Sequence, residues 1–259
     1  LDEAITLLAD MDEIALDFET TALDPTNGEI RVTSICNDEH HFIIDHLISG
    51  NFKLLLPSLR GKRIWVYSAT FETRWCDYYS DLWEYDELLE ICDVDYLAKS
   101  KLGGYPSSLA RMAGRDLGVI LNKDEQNSDW SRLQLTQSQL DYAAFDSHVT
   151  WEIYKKWDAE LTDEQFEAAL FVFNSSVRGT VEAQKTGLYL DQDYHEGTVA
   201  LWEIKRDTFE RYLRKYTPTN IIANLRSDQQ IGKYLEQILD PKVIADWPKT
   251  DKKKQMQFE

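Results

Sequence analysis

The sequence is poor in the residues that mark secreted, membrane-spanning and linker-rich proteins. It has six prolines, eleven glycines and three cysteines, Cys36, Cys76 and Cys92, among 259 residues. An odd number of cysteines without a Cys-x-x-Cys pair argues against a disulfide framework or a zinc site. No apolar run approaches the 18 residues or so of a membrane-spanning helix, and no signal peptide is visible. We expect reduced, mostly buried thiols, a cytoplasmic location and no membrane partner.

Basic residues are also scarce, with 28 Lys and Arg against 46 Asp and Glu, a net charge of −18. Residues 1–160 hold 14 basic and 30 acidic residues, whereas the remainder of the chain is close to neutral. Affinity for nucleic acid depends on basic residues that neutralise phosphates, so tight duplex binding by this chain is not expected. Bound metal ions would neutralise part of the acidic charge.

Two acids follow a short apolar run near the beginning of the chain. Residues 14–16 predict a buried strand, and Asp17 and Glu19 come directly after them. Because side chains alternate along a strand, these two acids point to one face. Buried acids are costly unless they are paired or bind a metal, and the alternative is a strand end where both meet water. Thr20 and Leu23 lie just beyond this strand.

Two predicted helices carry further candidates. Glu72 falls in the first turn of the first helix, where complementing the helix dipole would be a sufficient structural reason for an acid. Tyr142 and Asp146 are four residues apart on the second and therefore share a face; alone, they are explained by a Tyr–Asp hydrogen bond. Together with Asp17 and Glu19, they form a set of four carboxylates and one phenol. Mg²⁺ and Mn²⁺ prefer carboxylate oxygens, and two such ions about 3.5–4 Å apart stabilise the attacking and leaving oxygens of a phosphoryl displacement. The set predicts a two-metal nuclease.

The order and spacing of the motifs DFETT, YSATFE and YAAFD resemble the DnaQ-like 3′–5′ exonucleases of the DEDDy subgroup, which have a tyrosine in the third motif. The resemblance covers residues 1–160. It implies an α/β class with a ribonuclease H-like mixed sheet flanked by helices. Periodicity agrees, with strands near 13–18, 30–36, 40–45, 63–67 and 89–93 and helices near 52–58, 71–80, 94–100, 107–117 and 136–160.

The resemblance also implies a role for each motif residue. Asp17, Glu19 and Asp146 would hold a first Mg²⁺ or Mn²⁺ ion. Asp17 would bridge to a second ion, which Glu72 would also hold, and Tyr142 would orient the attacking water. The residues implied to contact the substrate are Thr20, Leu23, Ser68 and Phe71.

The second motif departs from the family pattern in two ways. Glu72 stands where Asp is usual, and Tyr67-Ser68 replaces a common His-Asn pair. A carboxylate that is one methylene longer still reaches a metal, although a displacement of about 1 Å can cost a hundredfold in rate. Asp77 lies nearby but fits the motif less well. Leu23 matches a position at which this family has an apolar side chain that inserts between the terminal bases of the substrate.

Residues 161–259 contain helical periodicity, including a helix near 192–215, and no acidic constellation. VEAQKTGLYLDQD resembles the segment that joins the exonuclease and polymerase regions of family A DNA polymerases, with LYLD as a short strand or turn. NLRSDQQIGKYL, followed by WPKT, resembles the start of the thumb. We expect an exonuclease domain over 1–160 and a mostly α-helical segment over 161–259, truncated before the polymerase site. The interpretation is a monomeric proofreading exonuclease from a bacterial or phage-infected cell, which acts on single-stranded DNA 3′ ends beside the remainder of a polymerase chain.

Two alternatives stay open. A ribonuclease D-like RNA 3′–5′ exonuclease is permitted by residues 1–160, although the compact helical domain expected after it is not evident. A catalytically weak scaffold domain is opposed by the four acidic positions. Lys123 and Arg132 are candidate phosphate contacts or solvated surface charges. Trp130 is a candidate for stacking on a base, with core anchoring as the favoured role.

Overall fold

The computed structural model describes residues 1–80, 89–103, 108–217, 222 and 224–246. The chain divides into two compact units, Leu1–Gly187 and Leu188–Glu259.

The first unit is built on a five-stranded sheet with the strand order β3-β2-β1-β4-β5. Neighbours β1 and β2, and likewise β2 and β3, pair antiparallel, whereas β4 runs parallel to both β1 and β5. This is the predicted mixed sheet, and each of its strands lies within two residues of the predicted bounds. The strands are β1 (Glu13–Thr20), β2 (Ile30–Cys36), β3 (His41–Asp45), β4 (Arg63–Val66) and β5 (Glu90–Asp93).

Helices flank the sheet, as predicted. The helices of the first unit are α1 (Asp2–Leu8), α2 (His46–Ser49), α3 (Ala69–Ser80), α4 (Val94–Leu102), α5 (Leu109–Met112), α6 (Gln137–Glu160), α7 (Asp163–Ala168) and α8 (Ser175–Thr186).

Two helix predictions are wrong in detail. The helix expected over 52–58 is two short 3₁₀ turns, Phe52–Leu54 and Leu56–Leu59. Pro57 has no backbone N–H to donate to the carbonyl four residues earlier, so it interrupts a continuous α-helix here. The helix expected over 107–117 is α5 followed by a π-helical turn, Ala113–Leu117, and residue 107 lies outside the described residues.

Strand β1 separates two hydrophobic cores. Ile14, Leu16 and Phe18 belong to one core, and Ala15 belongs to the other. Helix α6 packs across β1 and β2 on the Ala15 side. Its N-terminus has a capping box, in which the Thr136 side chain accepts a hydrogen bond from the Gln139 backbone and Gln139 reaches back to Thr136.

The first unit extends beyond the boundary that the sequence predicted. Val177 and Val181 of α8 are buried in the same core as Trp75 of α3. Helix α8 therefore packs with the sheet domain, and the packing boundary follows Gly187. The division after residue 160 stays a prediction about how the family organises its segments.

The second unit is helical in its described part, with α9 (Gln192–Arg214), α10 (Asp228–Ile238) and α11 (Pro241–Asp246). Residues 188–191, expected as a short strand or turn, have no regular secondary structure. Ser227 caps α10 by accepting a hydrogen bond from the Gln230 backbone at 3.3 Å. The WPKT segment lies outside the described residues.

Two expectations from composition can be compared with the structure. The three cysteines form no disulfide in the described part of the chain and all are buried, as predicted. Within the described ranges, no helix has both the length and the apolar composition needed to cross a bilayer.

Candidate active site

Strand β1 presents Asp17 and Glu19 on the face opposite to Leu16 and Phe18. Leu16 and Phe18 are buried in the core on one side, so alternation directs the two acids to the side that α6 covers. The register with β2 shifts between Glu19 and Thr20, which ends the regular pairing just after the second acid. The predicted strand geometry therefore brings both carboxylates to one place at the strand's end.

Helix α6 supplies the third carboxylate of the cluster. Carboxylate oxygens of Asp17, Glu19 and Asp146 all lie within 4.8 Å of one another. Tyr142, one turn earlier on α6, donates a hydrogen bond from its hydroxyl to Asp146. The hydroxyl of Ser147, the residue after Asp146, lies 2.6 Å from that of Ser34 on β2. This contact holds this part of α6 against the sheet.

Glu72 approaches from α3. Its side chain is 3% exposed, and its Oε2 is buried with no hydrogen-bond partner in the described part of the chain. The pKa of Glu72 is raised well above its usual value by burial and then by the nearby charge of Asp17. The orphaned oxygen and the proximity to Asp17 indicate that a cationic partner belongs here, because an unpaired buried carboxylate is otherwise costly.

The cluster carries more negative charge than its burial tolerates. Burial, followed by repulsion from Asp146, raises the pKa of Asp17 well above its usual value. Burial and the charges of Asp17 and Asp146 raise the pKa of Glu19 to about 10. The pKa of Asp146 is raised to about 6, mainly by burial and against the lowering effects of Tyr142 and Lys123. Without a cation the site therefore retains protons that exposed carboxylates would release at neutral pH.

These residues fit divalent metal ions. The donors are carboxylate oxygens, which hard cations such as Mg²⁺ and Mn²⁺ prefer. Three of them, from Asp17, Glu19 and Asp146, are close enough to share one ion. The buried oxygen of Glu72, which has no hydrogen-bond partner among the described residues, offers a further donor of the same chemical type.

The phenol of Tyr142 is suited to donate a hydrogen bond. Its pKa is raised by burial and then by the charges of Asp146 and Glu19. The hydroxyl therefore keeps its proton at neutral pH and is available as a hydrogen-bond donor rather than as a base.

A cleft with a volume of about 500 Å³ opens over the cluster. The structure brings together all nine residues that the sequence predicted for the site. Leu23 is 81% exposed at the cleft, and Ser68 has a left-handed backbone with φ = 72°. The predicted residues that line the cleft are Asp17, Glu19, Thr20, Leu23, Ser68, Phe71, Glu72, Tyr142 and Asp146.

Of the four candidates outside the motifs, two line the cleft and two do not. Lys123 lines the cleft, and its charge acts on Asp146. Trp130 also lines the cleft but is almost fully buried in a small core with Val32, so the anchoring role is confirmed. Arg132 is exposed and does not line the cleft. Asp77 is likewise absent from the cleft lining and forms an ion pair with Lys185 at 3.3 Å.

Sequence reasoning missed two residues that support the site. Asp93 ends β5 and bonds to the N-terminus of α3, which carries Glu72. Arg74 donates a hydrogen bond to the backbone carbonyl of Leu23. The sequence did offer a signal for Asp93, because an acid between a predicted strand and a predicted helix is a typical N-cap residue. No spacing in the sequence points to the contact of Arg74, because it joins segments that are far apart in the chain.

Comparisons with known proteins agree with the geometry. The model of a family of 3′–5′ exonucleases, those of family A DNA polymerases, matches residues 1–162. A curated relative, DNA polymerase I of Aquifex aeolicus, is 27% identical over 97% of this chain. The alignment spans 44% of that relative, so this chain covers less than half of its length.

Solved structures share the fold over most of this chain. Escherichia coli RNase D, an exoribonuclease, has a TM-score of 0.54 and 21% identity, covering 78% of this chain and 52% of its own. Brucella melitensis NrnC with bound Mg²⁺ has a TM-score of 0.55 and 19% identity, covering 69% of this chain and 88% of its own. The predicted ribonuclease H-like fold is therefore confirmed.

Proposed function

We propose that this chain, which belongs to the 3′–5′ exonuclease family of family A DNA polymerases, removes nucleoside 5′-monophosphates from DNA 3′ ends. Membership of the family makes the chain a metal-dependent 3′–5′ exonuclease, and the choice of DNA is the proposed step. The observation that carries the nuclease activity is the convergence of Asp17, Glu19 and Asp146, with Glu72 burying in the same cleft an oxygen that has no partner in the described part of the chain.

Four carboxylates are proposed to hold two divalent cations. Asp17, Glu19 and Asp146 would bind one ion, and Asp17 and Glu72 would bind the other. When bound, Mg²⁺ or Mn²⁺ ions supply Lewis-acid activation and neutralise charge that develops on the phosphodiester. The presence of Mg²⁺ in the structure of NrnC supports the choice of metal.

Tyr142 is proposed to orient the attacking water. Its hydroxyl retains its proton and already donates to Asp146, so it lies beside the proposed ligands of one ion. Holding the water in line with the phosphorus lowers the entropic cost of attack.

The remaining residues of the cleft are proposed to bind the terminal nucleotides. Leu23 presents an exposed apolar side chain that would separate the last two bases. Phe71 would pack beside the terminal nucleotide, and the hydroxyls of Thr20 and Ser68 would contact it. These residues set where the chain end lies relative to the carboxylates.

The C-terminal segment favours DNA over RNA. The alignment with a DNA polymerase I runs through 97% of this chain and so includes most of residues 161–259. Proposed partners are a single-stranded DNA 3′ end and the remainder of a polymerase chain. A monomeric state and a cytoplasmic location stay predictions.

A time course on 5′-labelled single-stranded DNA and matched RNA, with Mg²⁺, Mn²⁺ or EDTA, tests the proposal. We expect a metal-dependent ladder that shortens from the 3′ end, faster on DNA. Asp17→Ala and Asp146→Ala should abolish it, whereas Asp141→Ala, on the exposed side of α6, should not. Faster digestion of RNA would favour the ribonuclease D-like alternative, and digestion unaffected by Asp17→Ala would refute the proposed site.

A further inference from the structure

We propose that Arg74 is a positioning residue that holds Leu23 at the mouth of the cleft and so determines how well a polynucleotide end is engaged. The inference rests on the proposed function, because it takes Leu23 to lie between the terminal bases. Arg74 does not line the cleft, so its effect would be exerted through Leu23 rather than through the substrate.

Hydrogen bonds between Thr21 and Glu29 join the ends of the loop over 21–29. The Thr21 N–H donates to the Glu29 carbonyl at 3.0 Å, and the Glu29 N–H donates to the Thr21 hydroxyl at 2.9 Å. Gly28 lies so close to Ala22 that an added Cβ would be 2.7 Å from the Ala22 Cβ. The chain can close this tightly because residue 28 has no side chain.

The tip of the loop depends on a contact from α3. Leu23 is exposed and gains little from burial, so packing alone does not fix it. The Arg74 guanidinium donates to the Leu23 carbonyl, and the same nitrogen lies 3.8 Å from Asp24 Oδ2. Asp24 in turn accepts a hydrogen bond from the Thr26 N–H at 2.9 Å. One cation therefore binds two consecutive residues at the tip.

The geometry connects the loop to the proposed metal site. Arg74 follows Glu72 by two residues on α3, and its side chain is only 28% exposed. Helix α3 also packs against the 3₁₀ turn Pro25–Asn27 within the loop. A rigid helix, rather than the loop alone, thus sets the separation between Glu72 and Leu23. A guanidinium suits this task because it is planar and permanently charged, so one terminal nitrogen donates to the Leu23 carbonyl while it stays close to Asp24.

The test compares two substrates of the full chain carrying Arg74→Ala. One is 5′-labelled single-stranded DNA, and the other is the p-nitrophenyl ester of thymidine 5′-monophosphate, which has one base and nothing for Leu23 to separate. We expect kcat/KM on DNA to fall about tenfold, equivalent to about 1.4 kcal/mol, and the loss on the ester to be less than about threefold. Lys53→Ala removes an exposed cation that does not line the cleft and controls for net charge.

A double-mutant cycle identifies the route of the effect. If Arg74 acts through Leu23, adding Arg74→Ala to Leu23→Ala should lower kcat/KM on DNA no further. Additive losses would instead mean that Arg74 contacts the substrate directly, and this would overturn the inference. Equal losses on both substrates would also overturn it, because they would indicate a displaced Glu72.

A second variant and the wild-type protein separate failure of this inference from failure of the proposed function. Arg74→Lys keeps the charge on a shorter side chain without the planar group, and should show the same preference for loss on DNA, to a smaller degree; it decides the question if Arg74→Ala does not fold. Wild-type protein that hydrolyses both substrates while the variants show no DNA-selective loss would refute only this inference. Wild-type protein inactive on both would refute the proposed function as well.

Discussion

Asp93, the last residue of β5, accepts a hydrogen bond through Oδ2 from the backbone N–H of Ala69 at 3.0 Å. Its other oxygen accepts one from the Asp95 N–H at 2.9 Å, at the beginning of α4. One buried carboxylate therefore caps two helices, and Glu72 lies three residues after Ala69. The position of a proposed metal ligand thus depends on a residue outside the cleft lining.

Replacing Asp93 by alanine should lower both stability and activity. Loss of two capping bonds is expected to cost about 2 kcal/mol, which corresponds to a decrease of about 4–8 °C in Tm. Exonuclease kcat should fall as well, because the first turn of α3 loses an anchor. Thermal unfolding and kcat are measured beside Asp163→Ala, an exposed first-turn acid of α7. Equal effects of the two substitutions would contradict the double-capping role.

Metal-free protein is expected to lose stability as the pH rises. The pKa of Glu19 is raised from 4.5 to about 10, and that of Asp146 from 3.8 to about 6. Below the unfolded-state values both states are protonated; above them the unfolded chain releases protons that the folded chain retains, and folding becomes less favourable up to the folded-state pKa. Midpoints of thermal unfolding in EDTA should therefore fall between about pH 5 and pH 8.

Divalent cations should reverse this trend, because they neutralise the same carboxylates. Mg²⁺ or Mn²⁺ is expected to raise Tm more at about pH 8 than at about pH 5. Asp146→Asn should raise the metal-free Tm at about pH 8 and reduce the effect of the metal, whereas the exposed control Asp141→Asn should do neither. A pH-independent Tm in EDTA would show that the pKa values of these carboxylates are not raised in the folded protein.

Substitution of Tyr142 by phenylalanine should reduce kcat by about 10–100-fold with a small change in KM. The ring and its packing remain, but the hydroxyl that is proposed to orient the water is lost. Tyr78→Phe removes the hydroxyl of an exposed tyrosine on α3 and is the matched control. Steady-state kinetics on single-stranded DNA measure kcat and KM for both variants. An unchanged kcat in Tyr142→Phe would exclude the orienting role.

Ser68 is expected to respond to substitution through its backbone. Its φ of 72° is in the left-handed region, which costs most residues about 1 kcal/mol and is tolerated better by Asn and Gly. Ser68→Asn should therefore stabilise the fold by about 0.5 kcal/mol, and Ser68→Val should destabilise it by more than about 1 kcal/mol. Urea unfolding midpoints measure both, and a more stable Val variant would contradict the strain.

Much of the sheet and of the candidate site could be predicted from local patterns. Asp17 and Glu19 share a face because side chains alternate along a strand, and Tyr142 and Asp146 share one because they are a helical turn apart. These are properties of a few consecutive residues. The helix expected over 52–58 failed for the same kind of reason, because Pro57 outweighed the apolar periodicity.

The sequence by itself determined the carboxylate set, its attachment to β1, α3 and α6, and the resemblance to 3′–5′ exonucleases. Only the tertiary structure decided that Glu72 buries an oxygen without a hydrogen-bond partner among the residues described, that Asp93 caps two helices and that Arg74 reaches the Leu23 carbonyl. These two sets of features differ in the range of the interactions that produce them. Alternation and helical periodicity act between near neighbours in the chain, whereas burial, capping between elements and ion pairing arise when distant segments pack together.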